Sequence, residues 1–388
     1  MNSPGWSWVS LLAAVMFLAQ MAGYMMPLLV GATIESAGLD AGQAGMLGTL
    51  EFGTGAVLTL VISPYVNLMP LRHLLIAAIL LTALAQFASA LAGSFELLAV
   101  FRIFVGIGEG GFLAIANALI ATSTCPESVY GRVAAIMAAG FALLLFVLPA
   151  VVERGGHAAL YTTLGMMPLL FLPLVRHIPS RISAAMPRAA AASQSATSLQ
   201  VVLLAVAVSV LYMTQGGMYS LAERIGHGAG VDSGRIGVAL GLSAVAGIAG
   251  ASLAGWLGVR YGRLIPMATG ILLSGLSCLT LGTFLGDFVY ITTLLIYGFT
   301  FMFTVAYVFG LAAALDPLGR LAVGTAGFIN VSYAAGPAIF GYLSIDFSYT
   351  HLGLATLVLC ILAAGLVTRI VVSMDLSGRV YGPINASN

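Results

Sequence analysis

The stretch FRIFVGIGEGG, residues 101–111, places two charged side chains, Arg102 and Glu109, in a run that is otherwise apolar or glycine. Because they are seven positions apart, in an α-helix they lie within about 20° of one another and roughly 10 Å apart along the axis. Charges in a membrane-like segment are costly and usually serve a function. We therefore expect Arg102 and Glu109 to face one cavity and bind an anion or a proton. The alternative is an internal ion-pair network that holds helices together.

Three other titratable side chains are candidates for chemistry. Glu51 lies in MLGTLEFGTGA, again among glycines, where a carboxyl group can be tuned to load and release a proton; a hydrogen bond to a neighbouring helix is the alternative. Glu223 and His227, four apart, would share a helix face, and we expect them at a solvated helix end. The predicted proton-coupling residues are therefore Glu109 and Glu51.

The composition defines the surroundings of these charges. Of the 388 residues, 60% are hydrophobic and 7% are charged, and the mean hydropathy is +1.07, whereas soluble proteins carry about 25% charged residues. This excludes a water-soluble globule and predicts an all-α membrane protein. Runs of about 20 apolar residues, enough to cross a bilayer, give twelve predicted spans: 7–33, 42–66, 73–93, 97–123, 132–151, 158–175, 199–222, 234–257, 265–284, 287–313, 321–345 and 351–373.

Arginines occur mainly in alternate breaks between the spans, after spans two, four, six, eight and ten, and in the tail. Basic residues mark the cytoplasmic side, so we expect both termini in the cytoplasm and the protein in a bacterial inner membrane. The longest break, 177–198, has the composition of a linker. Residues 1–176 and 199–373 are thus predicted to form two six-helix halves, joined by this cytoplasmic linker and followed by a cytoplasmic tail, 374–388.

An internal repeat relates the predicted halves. Gln20 and Tyr24 have the same spacing as Gln215 and Tyr219, 195 positions later. Three further pairs of similar segments follow in the same order, at offsets that fall to 188. Such a repeat indicates a parallel duplication, whose halves are related by an axis along the membrane normal.

The segment between spans eight and nine, GWLGVRYGR, resembles the G-x-L-x-D-R-x-G-R gating loop of the major facilitator superfamily of transporters. The matching positions are Gly255, Leu257, Arg260, Gly262 and Arg263. Val259 stands where that family usually has Asp. The resemblance implies that this loop takes part in gating, with a weakened or rebuilt charge lock.

Span four is similar to the R-x-x-x-G-x-G pattern of the same superfamily through Arg102, Gly106 and Gly108. Gly106 and Gly110 also form a small-xxx-small pair, which predicts close approach of a neighbouring helix. The resemblance covers the whole chain. It implies twelve helices in two pseudo-symmetric halves that transport by alternating access.

In that family the first helix of each half lines the central cavity. The polar and aromatic side chains that we expect to contact the substrate, besides Arg102, are Gln20, Tyr24, Tyr212, Gln215, Tyr219, Tyr297, Tyr307, Asn330 and Tyr333. Tyrosine-rich cavities suit aromatic or amphipathic solutes, because each ring offers an apolar face and one hydrogen-bonding tip.

Other functions find little support in the sequence. It contains no HExxH, GxSxG or P-loop motif and no basic patch, so we expect neither an enzyme nor a nucleic-acid-binding protein, and no metal or cofactor. The sequence predicts a monomeric secondary transporter that moves an organic anion or amphipathic aromatic compound across the bilayer, coupled to a proton. Efflux of lipophilic compounds or lysolipids is the alternative.

Overall fold

The computed structural model describes residues 6–62, 65–121, 126–181, 197–283, 286–315 and 320–376. Over these residues the chain is α-helical, apart from connecting turns and two short 3₁₀ helices, Val66–Leu68 and Leu172–His177. The α-helices are α1 Trp6–Ala19, α2 Met21–Ala37, α3 Ala41–Ile62, α4 Leu71–Ala90, α5 Phe95–Ala121, α6 Pro126–Leu170, α7 Ser198–Ser220, α8 Ala222–Gly228, α9 Ser233–Leu257, α10 Leu264–Thr283, α11 Asp287–Leu315, α12 Arg320–Asp346 and α13 Tyr349–Leu376. Most of the predicted linker and tail lies outside the described residues.

The described helices include eleven apolar segments that are long enough to cross a membrane. The sequence predicts twelve spans, and the difference lies in α6. At 45 residues, α6 would be roughly 68 Å long if straight, about twice the thickness of a hydrocarbon core. It is kinked at Gly156, whose backbone is non-helical (φ 59°, ψ −153°). Helix α6 therefore supplies the fifth and sixth spans, and the protein is a multi-pass, all-helical membrane protein.

The first span is broken at Gln20, between α1 and α2, where the backbone has φ −111° and ψ 8°. The predicted span 7–33 corresponds to the single apolar segment Trp6–Ala37, which two helices build instead of one. Because α2 starts anew at Met21, its first N–H groups lack carbonyl partners in a preceding helical turn. One of these donors, the N–H of Ala22, has a side-chain partner on α5.

Two helix pairs, α3 with α12 and α6 with α9, join the first six spans to the remaining ones. Small residues bring the backbones together: Gly45 lies against the carbonyl of Pro337, and Gly237 lies against the carbonyl of Leu145. These contacts lie near the end of the bundle where α2 ends and α3 begins, which we name the distal end. The two groups of spans are closed against each other there.

The same close helix contact occurs in both groups of spans. Gly106 on α5 lies against the carbonyl of Glu51 on α3, and Gly298 on α11 lies against the carbonyl of Ser243 on α9. Both residues of the second contact lie 192 positions after those of the first. This equivalence supports a duplication, and it confirms that Gly106 serves close helix packing.

Candidate functional site

Arg102 lies in a buried polar cluster formed by three helices of the first six spans. Its Nη1 is 3.1 Å from a carboxylate oxygen of Glu51 on α3. Its Nη2 donates to the side-chain oxygen of Gln86, 2.9 Å away, and to the hydroxyl of Ser89, both on α4. The guanidinium carbon lies 4.4 Å from the ring centroid of Tyr161 on α6. Arg102 is therefore held within one group of spans.

For Arg102, the structure shows an internal ion pair, with Glu51, which is the alternative to the anion-binding role expected from the sequence. Both side chains are only 1% exposed. An arginine and a carboxylate buried together neutralise one another, whereas either one alone in this position would be very costly. Arg102 thus has Glu51 as its direct partner, and not Glu109 on its own helix.

Glu109 lies on the same side of α5 as Arg102, about two helical turns further along, and is 3% exposed. One of its carboxylate oxygens accepts a hydrogen bond from the backbone N–H of Ala22, at 3.3 Å. That N–H is free because the break at Gln20 starts a new helix. The positive end of the α2 dipole therefore faces the carboxylate, which also interacts electrostatically with Glu51 and Arg102.

A small cleft between the two groups of spans is open to Glu109. Its lining comes from α1, α3 and α5 on one side and from α12 on the other. The lining residues are Ala19, Phe52, Gly55, Ala56, Glu109, Gly110, Leu113 and Asn330. Glu109 is the one ionisable side chain among these residues, and Asn330 is the polar residue that lines the cleft from α12.

Aromatic side chains of the later helices form a cluster centred on Phe301, which we name the aromatic cluster. The Phe301 ring centroid lies 5.4 Å from that of Tyr212, 6.2 Å from that of Tyr297 and 5.8 Å from that of Tyr333. Tyr333 also meets Phe52 of the cleft, at 5.6 Å. The aromatic cluster is therefore continuous with the cleft that holds Glu109.

Two predicted tyrosines connect the first helices of the repeat to each other. Tyr219 stacks on Tyr297 at 5.5 Å, and its hydroxyl donates to the carbonyl of Tyr24 at 3.2 Å. Tyr24 in turn stacks on Phe141 of α6 at 4.2 Å. The rings therefore offer apolar faces, while the hydroxyl of Tyr219 is bound to backbone.

The predicted glutamines have different surroundings. Gln20 is half-buried at the break in the first span. Gln215 is buried, and its carbonyl accepts the hydroxyl of Tyr297 at 3.0 Å. Among the described residues, the side-chain nitrogen of Gln215 and the hydroxyl of Tyr212 have no hydrogen-bond partner. These two donors lie beside the aromatic cluster.

Tyr307 lies apart from the other predicted tyrosines. Its hydroxyl donates to the carbonyl of Gly258 at 2.9 Å, immediately after the end of α9. The structure therefore places Tyr307 at the predicted gating loop, and we leave it out of the proposed substrate site.

The buried position of Glu223 contradicts the expectation of a solvated helix end. Glu223 is 4% exposed, because α2 covers it: a Cβ on Gly31 would overlap its carboxyl group. His227, one turn further on, is partly exposed. The spacing of the two residues shows a shared helix side but gives no sign that another helix lies over it.

A comparison with protein families decides the classification of the chain. The model of the Major Facilitator Superfamily matches residues 11–326. The chain belongs to this superfamily. Among curated proteins, none matches the sequence significantly.

Solved structures with the superfamily fold resemble the whole chain. One is a bacterial homolog of the human lysosomal transporter Spinster, in an inward-facing and occupied conformation; the TM-score is 0.74 at 13% identity, over 99% of this chain and 100% of the other. The nucleoside transporter NupG has a TM-score of 0.74 at 13% identity, over 93% of this chain and 99% of the other. The unoccupied inward-facing Spinster homolog gives 0.70 at 12% identity, over 99% and 100%. At these identities the likeness concerns the fold.

The predicted gating loop of this superfamily member is a tight connection between α9 and α10. Gly258 and Gly262 have positive φ values of 51° and 69°, which glycine adopts at little cost. Arg260 is exposed and its guanidinium lies 5.4 Å from the ring centroid of Trp256. Gly255 lies in the exposed last turn of α9, and Arg263 directly precedes α10. Within the described part of the chain, Arg260 and Arg263 form no ion pair.

Three members of the site escape sequence reasoning. Gln86, Ser89 and Tyr161 surround Arg102, but they lie on two other helices and have no motif. A usable signal is the spacing of Gln86 and Ser89, which are three apart in an apolar helix and so share a face. The N–H of Ala22 has no such signal, since no glycine or proline stands at the break.

Proposed function

We propose that this superfamily member is a proton-coupled secondary transporter of a small amphipathic aromatic solute, which works as a monomer in a bacterial inner membrane. The observation that carries the proposal is the cleft between the two groups of spans, which is lined by Glu109 and Asn330 and is continuous with the aromatic cluster through Phe52 and Tyr333. Both groups contribute to one site near the middle of the bundle, as alternating access requires. Since one chain forms the whole site, a monomer suffices.

Glu109 is the proposed proton site because its charge affects the position of a helix. The ionised carboxylate accepts the N–H of Ala22 and is attracted to the positive end of α2. Protonation removes most of that attraction. Helix α2 also carries Tyr24, which accepts the hydroxyl of Tyr219 from the other group of spans. A proton on Glu109 therefore changes the force on a helix that both groups share.

Glu51 has a different part in this proposal. It neutralises Arg102 at 3.1 Å, and its charge also acts on Glu109. The two carboxylates thus share one guanidinium group in their vicinity. Because Glu51 partly neutralises Arg102, Arg102 attracts the Glu109 carboxylate less than an unpaired arginine would.

An amphipathic aromatic solute fits the lining better than an organic anion does. Arg102 is 1% exposed and has Glu51, Gln86, Ser89 and Tyr161 as neighbours, so it offers the cleft no free positive charge. The faces of the tyrosine and phenylalanine rings can stack on an aromatic substrate. Tyr212 and Gln215 have unpartnered donors, but both are 1% exposed, so a substrate reaches them only if the aromatic cluster opens.

Efflux of lipophilic compounds or lysolipids is a second candidate. It is favoured by the single ionisable side chain in the cleft lining, which leaves the remainder apolar or neutral. The similarity to the Spinster homolog concerns the fold, and it does not decide between the candidates. The direction of transport separates them: import raises accumulation in cells that express the protein, and efflux lowers it.

The arginine pattern and the closed distal end support one orientation. Basic residues favour the cytoplasmic side for the end that carries the termini. The distal end then faces the cell exterior, so the structure is closed towards the exterior. Both Spinster structures that the chain resembles are inward-facing.

The test begins with a thermal-shift screen of the purified protein against aromatic carboxylates, nucleosides, aromatic amines and lysolipids. A compound at 100 times its Kd stabilises the folded state by about 2.7 kcal/mol. The stabilising compound is then followed in proteoliposomes with an imposed pH gradient. Wild type should accumulate it, and Glu109→Gln should exchange it across the membrane without accumulating it.

The matched control is Glu96→Gln, at the exposed start of the same helix, which should accumulate the compound like wild type. Accumulation at the wild-type level in Glu109→Gln would exclude Glu109 as the coupling site. Stabilisation by aromatic carboxylates that depends on Arg102 would restore the organic-anion substrate in place of the neutral aromatic one.

A further inference from the structure

A second buried carboxyl group, Glu223, lies at the distal end and has no place in the site around Glu109. It belongs to the short helix α8, and its side chain is 4% exposed. One of its carboxyl oxygens, Oε2, has no hydrogen-bond partner among the described residues. A buried carboxylate oxygen without a partner is expensive, whereas a protonated carboxyl group costs much less to bury.

Glu223 lies across the boundary between the two groups of spans. Its carboxyl group rests directly on the backbone of α2 at Gly31, where a Cβ would overlap it. One helical turn before Glu223, the hydroxyl of Tyr219 donates to the carbonyl of Tyr24 on the same α2 helix. The two contacts together join α2 to the α7–α8 segment near the distal end, and separation of these elements would uncover Glu223.

The charged and titratable groups near Glu223 offer it no cation. From α2, the exposed Glu35 acts on it with the same charge, and from α11 the phenol of Tyr290 interacts with it. On its own helix, Arg224 is exposed and donates to the hydroxyl of Tyr349 at 2.9 Å. Other titratable or charged groups on the neighbouring elements are Tyr219 on α7, the partly exposed His227 on α8, and the buried Cys278 on α10. Arg235 on α9 pairs with Asp232 and Asp287.

From this geometry we propose that Glu223 is a second proton-binding site, which is protonated when the distal end is closed and ionised when it opens. The proton comes from the distal side and returns to it, because the carboxyl group is uncovered only when α2 and α8 separate. The bound proton is thus not carried across the membrane. It controls the gate, whereas Glu109 couples transport.

The direction of the pH effect follows from the burial. Loss of hydration raises the pKa of the Glu223 carboxyl well above its ordinary value of 4.5, and the negative charge of Glu35 raises it further. In the open form the group is solvated and returns towards its ordinary value. At a pH between the pKa of Glu223 in the open form and its pKa in the closed form, the closed form holds one proton more than the open form.

Acid on the distal side therefore closes the gate. Over this window the ratio of closed to open protein rises by up to about tenfold for each unit by which the pH falls. Below about pH 4.5 both forms hold the proton and the ratio no longer changes. With the proposed orientation, an acidic exterior favours the inward-facing form.

The inference relies on the proposed function only in requiring that the two groups of spans separate at the distal end. The test measures that separation by electron spin resonance between two spin labels in lipid nanodiscs, from pH 5 to pH 8. The labels are placed at Leu91→Cys and Phe288→Cys, two side chains that are 88% and 81% exposed and lie at the distal ends of α4 and α11. The three native cysteines are replaced by alanine.

In the labelled parent protein the population at the short distance should grow as the pH falls. Glu223→Gln keeps the shape and removes the charge, so it should hold the short distance at every pH. Glu153→Gln, which removes an exposed carboxyl group in the first group of spans, is the matched control and should follow the parent. In a Glu109→Gln background, which lacks the other proton site, addition of Glu223→Gln should remove the pH dependence that remains.

A pH dependence that persists unchanged in Glu223→Gln would overturn the inference and leave the coupling role of Glu109 untouched. A parent distance that is independent of pH would also overturn it, and this outcome requires no variant to fold. A distance that stays fixed under every condition, including addition of the stabilising compound from the screen, would refute alternating access itself.

Discussion

The hydroxyl of Tyr219 donates a hydrogen bond to the backbone carbonyl of Tyr24, 3.2 Å away and 195 positions earlier in the chain. These two tyrosines are the equivalent members of the sequence repeat, so the two copies of one motif touch each other at the boundary between the groups of spans. The bond crosses this boundary, and we expect it to break when the two groups of spans separate at the distal end. It is thus a direct stabiliser of one conformation.

Replacement of Tyr219 by Phe should shift the balance towards the open form. The variant loses the bond to Tyr24 but keeps the stacking on Tyr297. A hydrogen bond contributes about 0.5–1.5 kcal/mol, which corresponds to roughly a two- to tenfold change in the ratio of closed to open protein. The labelled distance across the distal end measures this change. Tyr65→Phe is the control, because its side chain is 58% exposed and follows the end of α3, at the opposite end of the bundle, so it should leave the ratio unchanged.

Loss of Arg102 should destabilise the protein strongly. Arg102→Leu leaves Glu51 buried without its partner, at a cost of about 3–5 kcal/mol. The double variant Arg102→Leu with Glu51→Gln should recover a large part of this loss, since no unpaired charge remains. Thermal unfolding in detergent of both single variants and the double variant measures the coupling. If the losses of stability in the two single variants add up to the loss in the double variant, the ion pair has no net role in stability.

Glycines that lie against backbone should be less replaceable than glycines in open space. Gly106→Ala places a methyl group on the carbonyl of Glu51, so α3 and α5 must move apart. Gly93→Ala meets nothing within 4 Å. We expect a loss of about 1–3 kcal/mol for Gly106→Ala and a much smaller change for Gly93→Ala. Equal unfolding temperatures for the two variants would contradict the close packing of α3 and α5.

In the gating loop, backbone conformation decides which glycine is needed. Gly262→Ala forces a positive φ on a residue with a Cβ and should cost about 1 kcal/mol or more. Gly255→Ala lies in helical backbone with no neighbouring atom within 4 Å and should be neutral or slightly stabilising, because alanine favours helix. Transport rates and unfolding temperatures of the pair test this. A Gly255→Ala variant that is the more damaged of the two would assign Gly255 a role beyond the fold.

The helices themselves could be predicted from the sequence because long apolar runs leave few alternatives in a bilayer. The repeat could also be predicted from the sequence, since Gln20 and Gln215 are each followed by a tyrosine four positions later. The break at Gln20 could not be predicted, because an interrupted helix there requires a hydrogen-bond acceptor for the N–H of Ala22 from another part of the chain. That acceptor is the carboxylate of Glu109, 87 positions away.

The partner of Arg102 shows a second limit of sequence reasoning. Helical spacing correctly relates Arg102 to Glu109 on α5, but it carries no information on which residue of α3 faces them. Because α3 packs closely against α5 at Gly106, Glu51 lies within 3.1 Å of the Arg102 guanidinium and pairs with it in place of Glu109. The predicted exposure of Glu223 is wrong for a similar reason. Glu223 is buried because α2 packs over it, and the sequence does not show where α2 lies.

The order of the polar residues along the chain also bears on biosynthesis. Glu51, Gln86 and Ser89 all precede Arg102 in the sequence, so they leave the ribosome before it does. When α5 enters the bilayer, three of the groups that surround its arginine are already present on α3 and α4, and only Tyr161 on α6 is still to come. The nascent chain therefore need not hold a lone arginine in lipid, which is costly, and the insertion of α5 should depend on the helices made before it.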